Sequence, residues 1–506
     1  MTTSTTAPAP EFRTYGGWRT PGRPGLGKLG LAPTVLFFIA AVGVIACLAF
    51  SLRLALLTAL GATALIAPLV LTDRHHRSLL QGVTARASWR VAHHGGQTLY
   101  RAGPTGRVPT GRWSLPGLAA AITATDQLDS AGHPFALLHH PHAHHVTAVI
   151  QACPEGASLV DDATIDHWVA SWGEFLRVLG QDSSLVAASV TIETAPDPGG
   201  RLASELNQNV SISAPQLAQV VMADIARSYP LTAAITTARI ALTWTCTPRA
   251  TGRRRPLTAM AAEVGRRLPG VCLALQATGA GAARPMTVAE LAGAIRTAYD
   301  PTSAGDVEAA GPGSVAWEDC GPVSFDETVG ELHHDGAVSV SWAMTAPPQG
   351  PVPCNVLVPV LAPHPDVDRK RVTILFRPYS PGQAATLVQR DHRDALFSAN
   401  SVKIPHAAEL GKLRAAQQGE AEHARGAGLV RFGLVVTATV RRRRTPDATG
   451  EALALAEAAV DGLATASRLT IRRAWRSQAT TFLAALPLGL VLPAHTRIPT
   501  EFKELL

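Results

Sequence analysis

Ile240-Ala241-Leu242-Thr243-Trp244-Thr245-Cys246, followed by Arg253-Arg254-Arg255, decides how the body of this chain is read. Its large side chains alternate with small or polar ones, the period-2 pattern of a strand with one buried face. A helix is predicted near Leu257–Leu268 and a further strand over Val271–Gln276. The same order returns near the C-terminus. There a strand over Leu429–Val440 runs into Arg441-Arg442-Arg443-Arg444, then a helix over Glu451–Ala466 and a strand over Leu469–Arg473. Each unit carries an arginine run where its first strand hands over to its helix. The fold class expected is therefore α+β, with two related lobes of split-βαβ, ferredoxin-like type.

Outward from these units, Phe135–His139 and Val146–Ala152 read as a hairpin around a His/Pro turn. Ile165, Trp168, Val169, Trp172, Leu176 and Leu179 recur at helical spacing, with Asp161 and Asp162 at the start and Gly180 as the stop. Val186–Thr194 is a strand, and Gln216–Tyr229 and Val288–Tyr299 are helices. The Gly, Pro and acid-rich residues 301–322 read as a linker. Beyond it, Val338, Val340, Trp342 and Met344 alternate as a strand, with Val372, Ile374 and Phe376 as its expected partner, and a long polar helical stretch spans about 382–424. The expected domains are a basic tail at 1–30, a membrane hairpin at 31–72, lobe 1 at 73–300, lobe 2 at 323–490 and a tail at 491–506.

No residue is charged from Leu29 to Leu52 or from Leu54 to Thr72. About 20 apolar residues cross a hydrocarbon layer of about 30 Å. The pair predicts two transmembrane helices, near Pro33–Phe50 and Leu54–Leu71, joined by a tight turn at Ser51-Leu52-Arg53. Arg13, Arg19, Arg23 and Lys28 precede the first span and Arg74, Arg77, Arg86 and Arg90 follow the second, which places both termini in the cytoplasm.

Composition agrees with that reading. Of 506 residues 46% are apolar and only 16% charged, so ample apolar material exists to order the chain. The net charge of +7 is uneven: residues 1–125 hold 12 Lys and Arg against Glu11 and Asp73, while the remainder holds 33 basic and 36 acidic residues. A nucleic-acid-binding domain would carry its basic excess on the folded body, so direct nucleic-acid binding is not expected. Six cysteines, at 47, 153, 246, 272, 320 and 354, form no CxxC pair and read as reduced thiols.

His139-His140-Pro141-His142-Ala143-His144-His145 is the densest group of metal-ligand side chains. Imidazoles bind zinc, copper or nickel, but a hairpin turn sends alternate side chains to opposite faces, and a solvated turn is the plainer reading. No metal, cofactor or catalytic residue is assigned. A metal-dependent membrane enzyme or sensor built on His139–His145 stands as an alternative of another class. Arg253, Arg254, Arg255, Arg441, Arg442, Arg443 and Arg444 read as solvated loops or as contacts to a partner or an anionic surface. Gly22–Leu29 has the GxxxxGK spacing of a phosphate loop but lacks its Ser or Thr, and no preceding strand is present. No nucleophile elbow, HExxH or dinucleotide motif occurs, so a non-enzymatic protein is expected.

Two segments carry a family resemblance. Tyr15-Gly16-Gly17-Trp18-Arg19-x-Pro21 to Gly30, leading into the helix pair, resembles actinobacterial membrane proteins encoded with conjugative elements, and the pair is similar to the two-helix inner-membrane subunit of type IV secretion systems. Gln478-x-x-x-Phe482-x-x-x-Leu486-Pro487-x-Gly489 resembles the segment closing the N-terminal domain of the large type IV secretion ATPase. In that family a RecA-like motor follows, and within residues 1–506 no motor is expected. The resemblance implies an inner-membrane scaffold of a conjugation or type IV-like secretion apparatus, oligomeric, docking a separately encoded ATPase and channel subunits. A type VII secretion membrane subunit, which also pairs two N-terminal membrane helices with an α/β body, is the alternative.

Overall fold

Strands that alternate with helices along the chain assemble, in the computed structural model, into a mixed α+β body around a 13-stranded antiparallel sheet. The structure describes residues 14–16, 18, 31–71, 78–104, 106, 111–154, 156, 159–197, 209, 211, 213–228, 234–247, 252–348, 350–400 and 407–495.

In chain order, strand β1 (Thr14–Tyr15) precedes the apolar helices α1 (Leu31–Leu48) and α2 (Leu52–Val70) and the capped helix α3 (Leu79–His94). The first half of the body comprises β2 (Leu99–Arg101), β3 (Thr123–Leu128), β4 (Pro134–His140), β5 (His145–Cys153), α4 (Asp162–Gln181), β6 (Leu185–Pro196), α5 (Gln216–Ser228), β7 (Ala234–Thr245), α6 (Leu257–Leu275), β8 (Ala282–Pro285) and α7 (Val288–Tyr299). After α8 (Ala304–Ala310) the second half comprises β9 (Ser324–Glu327), β10 (Leu332–His334), β11 (Ala337–Ala346), β12 (Val352–Pro353), α9 (Val358–Leu361), β13 (Arg369–Pro378), α10 (Pro381–Asn400), α11 (Ala407–Ala424), β14 (Val430–Arg441), α12 (Pro446–Ala466), β15 (Thr470–Arg473) and α13 (Gln478–Ala484).

The sheet runs β2-β9-β10-β11-β14-β13-β6-β7-β5-β4-β3, with β15 beside β11 and β8 beside β5. Its two halves repeat in register. Thr147 faces Thr243 as Ser339 faces Thr439, and Ile150 faces Pro285 as Trp342 faces Arg473. The Cys246 amide donates to the His144 carbonyl as the Arg442 amide donates to Gly336. At the seam β6 pairs with β13, and Thr191 meets Thr373, its own counterpart, on a local two-fold. The expected separate lobes are thus one continuous sheet, because the outer edges of β6 and β13 satisfy each other's backbone groups instead of facing water.

Alternation fixes the two faces. Val146, Ala148, Ile150, Ile240, Leu242 and Trp244 face α4 and α6, meeting Phe175, Leu179, Met260, Val264 and Leu268. Val338, Val340, Trp342, Val436, Ala438 and Val440 face α12. The opposite face is a buried field of hydroxyls, with Thr147, Ser189, Thr191, Thr243, Ser339, Ser341, Thr373, Thr437 and Thr439. Helix α7 and the C-terminal segment from Gln478 to Val491 cover it.

Four local expectations are corrected. Val271–Gln276 belongs largely to helix α6, because Met260, Val264, Leu268, Cys272 and Leu275 keep helical spacing through it. Pro269 cannot donate to the Gly265 carbonyl, which instead accepts the Ser130 amide at 3.1 Å, so the helix continues. The fourth strand is β8, reached through a turn where Gly279 (φ +76°) lies under Trp168, so close that a Cβ would sit 2.5 Å from the indole. Helix α4 passes through Gly180 and ends at Gln181, with Asp182 as its C-cap. The partner of β11 is β14, and β13 lies beyond it. Residues 301–322, expected as a linker, fold into short helices that bury Cys320 against α7. Of the two expected spans, α2 is long and apolar enough to cross a membrane, while Thr34–Leu48 is a shorter apolar helix.

Candidate functional site

The arginine runs and the histidine-rich hairpins, distant in sequence, share equivalent corners of the two halves. Arg254 lies near enough to His139 to help lower its pKa, after burial, and Arg442 does the same to His334. Arg253 and Arg254 are exposed, while Arg255 pairs with Glu263 on α6. Arg441 to Arg444 are exposed. Asp368 organises that loop, accepting the Arg441 amide at 2.8 Å and the Arg443 guanidinium at 3.4 Å. Arg442 lines an open cleft of about 490 Å³ with Arg101, Asp326 and His333.

The His139–His145 hairpin divides its side chains as alternation requires. His139 lies on the helix side, His142 and His144 point to solvent, and His140 and His145 are buried under the hydroxyl face near His495. Among the described residues no three His, Cys, Asp or Glu side chains converge to hold a metal ion. His140 hydrogen-bonds instead through Nε2 to Thr147 (3.1 Å), and Thr147 to Thr243 (2.9 Å). The second half repeats the chain: His334 Nε2 to Ser339 (2.7 Å), Ser339 to Thr439 (2.7 Å). Burial, reinforced by His145, His495 and His139, lowers His140 to about 3. Burial lowers His145 to about 4 with help from His495 and His144, and His334 to about 4 against its bond to the Tyr299 carbonyl. All three are neutral at physiological pH, serving as uncharged hydrogen-bonding posts.

The segment singled out by sequence, Gln478 to Gly489, straps both halves across this face. Gln478 accepts the Ser341 amide (2.8 Å) in the second half. Thr373, at the seam, donates to the Ala485 carbonyl (3.0 Å), and Thr243, in the first half, donates to the Gly489 carbonyl (2.9 Å). Gly489 has φ +66°, and a Cβ there would lie 2.4 Å from both Thr147 and Thr243. The motif is thus spelled by contacts: an amide to cap a strand, Phe482 to fill the core, and a glycine where backbone meets backbone.

Sequence reasoning missed one site. Glu193 on β6, 5% exposed, is gripped by Arg371 (2.8 Å), Arg239 (3.0 Å) and Arg369 (3.2 Å) from the neighbouring strands. Burial alone would raise its pKa, but the three guanidiniums outweigh that and hold it well below the usual carboxylate range. The available signal was the run Arg369-Lys370-Arg371 inside a strand pattern, which puts charge on both faces of a central strand.

In comparison with known proteins, residues 22–81 match a family described as a domain of unknown function (DUF8461). That span takes in both apolar helices and the start of α3. No curated protein matches the chain.

Proposed function

We propose that this chain is a non-enzymatic, membrane-anchored scaffold of a conjugative or type IV-like secretion apparatus, with α1 and α2 as a transmembrane hairpin and both flanks in the cytoplasm. The observation that carries this reading is the N-terminal arm. Thr14 and Tyr15 pair with Pro353 and Val352 of the body, the Tyr15 hydroxyl bonds Asp166 (3.3 Å), and Trp18 packs edge-on against Phe432. Residues before the helices therefore rest on the domain that follows them, which favours an even number of crossings. α1 has 18 residues and rises about 27 Å, close to the hydrocarbon thickness of about 30 Å. Both helices expose their large side chains, among them Phe38, Ile39, Val42, Ile45, Leu56, Leu57 and Leu60.

Each half is read as a split-βαβ, ferredoxin-like unit, from the strand order β6-β7-β5-β8 and β13-β14-β11-β15. Both units carry helical insertions between the second and third strands of that motif. α5 exposes Leu217, Val220, Val221 and Ile225, and α10 exposes Leu396 and Phe397, which supports a docking role for a separately encoded ATPase or channel subunit.

Single-cysteine labelling tests the topology. In a background with the six cysteines replaced, S51C is expected to react with an impermeant maleimide on intact cells and T14C only after permeabilisation. Labelling of T14C from outside would sink the hairpin. Affinity purification in mild detergent is expected to recover a Walker-containing ATPase, whereas recovery of type VII core subunits would reassign the scaffold to that system.

A further inference from the structure

The charge cluster at the seam is unbalanced. Arg239, Arg369 and Arg371 together face one carboxylate, Glu193, inside a sheet where Arg371 is 2% exposed and Arg369 8%. Four guanidinium nitrogens are buried without a hydrogen-bond partner: Arg239 Nε, Arg369 Nε, and both Nε and Nη1 of Arg371. Buried polar groups are almost always paired, and buried charges more strictly still. The Phe482 ring lies 5.3 Å from the Arg371 guanidinium and offers a cation–π contact, which does not accept an N–H in the ring plane. The cluster also breaks the local two-fold, since Ser189 and Leu375 stand where symmetry would repeat Arg371 and Glu193. The sheet frame therefore does not require it.

We infer that the seam is a binding site for a small phosphate-class oxyanion, held by the unpartnered guanidinium N–H groups of Arg239, Arg369 and Arg371 beside Glu193. Guanidinium N–H groups match the oxygens of a tetrahedral anion, and the four unpartnered nitrogens of the three arginines supply donors while their charge exceeds what one carboxylate compensates. Arg239 and Arg369, the less buried pair, form the rim through which the anion enters, and Arg371 forms the floor. Free phosphate and the phosphate of a lipid headgroup present the same oxygens to these N–H groups.

The test uses the full chain in lipid-free detergent, exchanged into chloride and titrated with inorganic phosphate while thermal unfolding is followed. Saturable stabilisation of the wild type is expected. R371Q should weaken half-saturation by about tenfold or more, as loss of a charge-assisted pair implies. R369Q, at the rim, serves if R371Q does not fold. E193Q should be less stable in chloride and bind phosphate more tightly than the wild type, because the competing carboxylate is gone. Nanodiscs containing phosphatidic acid, without free phosphate, separate the sources: stabilisation by the lipid alone assigns the site to a headgroup. Three results overturn the proposal. These are no response of the wild type to either probe, a response confined to E193Q, or equal responses of the wild type and the arginine variants, which would mark a general salt effect.

Discussion

The first half ends its hydrogen-bond chain on the strap, and the second half does not. His140, Thr147 and Thr243 run to the Gly489 carbonyl, whereas His334, Ser339 and Thr439 close on themselves and on the Tyr299 carbonyl behind the histidine. The first half spans its strands β5 and β6 with the 20-residue helix α4, while the second crosses the equivalent gap with the four-residue α9 and takes the N-terminal arm on β12. Where the halves agree, in hydroxyl pairs and strand register, the sheet is being built. Where they differ, in strap, arm and buried charge, the molecule holds its two flanking segments to one body.

The largest break in this comparison is expected from Gly489→Val. The position needs φ +66°, and its Cβ would collide with Thr147 and Thr243, so strain and steric clash act together. We expect destabilisation of about 4 kcal/mol or more, at the exceptional end for one substitution. Hydrogen exchange in detergent should show protection lost in β5 and β7 before β11 and β14. Equal loss in both halves would mean that the strap holds the whole sheet rather than chiefly its first half.

That asymmetry was only partly legible in the sequence. The alternation in Ile240–Cys246 and in Val338–Thr345 named central strands correctly, because both faces of those strands are sampled by side chains of contrasting size. The short strands β2, β9 and β10 at one end of the sheet have three or four residues and little alternation, so nothing in their sequence announces them. Val271–Gln276 misled because a fully buried helical turn and a strand share the same apolar composition. The Gln478–Gly489 motif was visible as a string but its role was not, since its hydrogen-bond partners lie between 112 and 246 residues away and are ordinary Ser and Thr. Glu193 and its three arginines could be seen only once register placed them side by side.

Acid should separate the halves next. The first half buries two depressed histidines, His140 and His145, and the second buries one, His334, with Ala337 at the position equivalent to His145. Each is neutral when folded and takes up a proton more readily when unfolded. Their contribution is therefore intact above about pH 6.5 and is lost as pH falls toward about 4. In the second half the Asp335 and Glu327 carboxyls, pushed up by burial, work in the opposite sense and are relieved by acid. Hydrogen exchange between pH 7 and pH 5 should open β4 and β5 before β10 and β11, and H145A should narrow the gap. Simultaneous opening would show that the histidines do not set the acid response.

The smallest and sharpest comparison is Thr243→Val against Thr439→Val, the same chemical change at equivalent positions. Thr439→Val removes one hydroxyl from a pair and leaves Ser339 still bonded to His334, so about 1 kcal/mol is expected. Thr243→Val removes the same kind of pair and also strips the half-buried Gly489 carbonyl of its 2.9 Å donor. An unpaired buried carbonyl costs about 1–3 kcal/mol, so Thr243→Val should exceed its counterpart by up to that amount. Chemical denaturation of the two variants in one detergent measures the difference directly. If the costs are equal, the strap carbonyl finds another donor, and the structural asymmetry between the halves carries no energetic weight at that point.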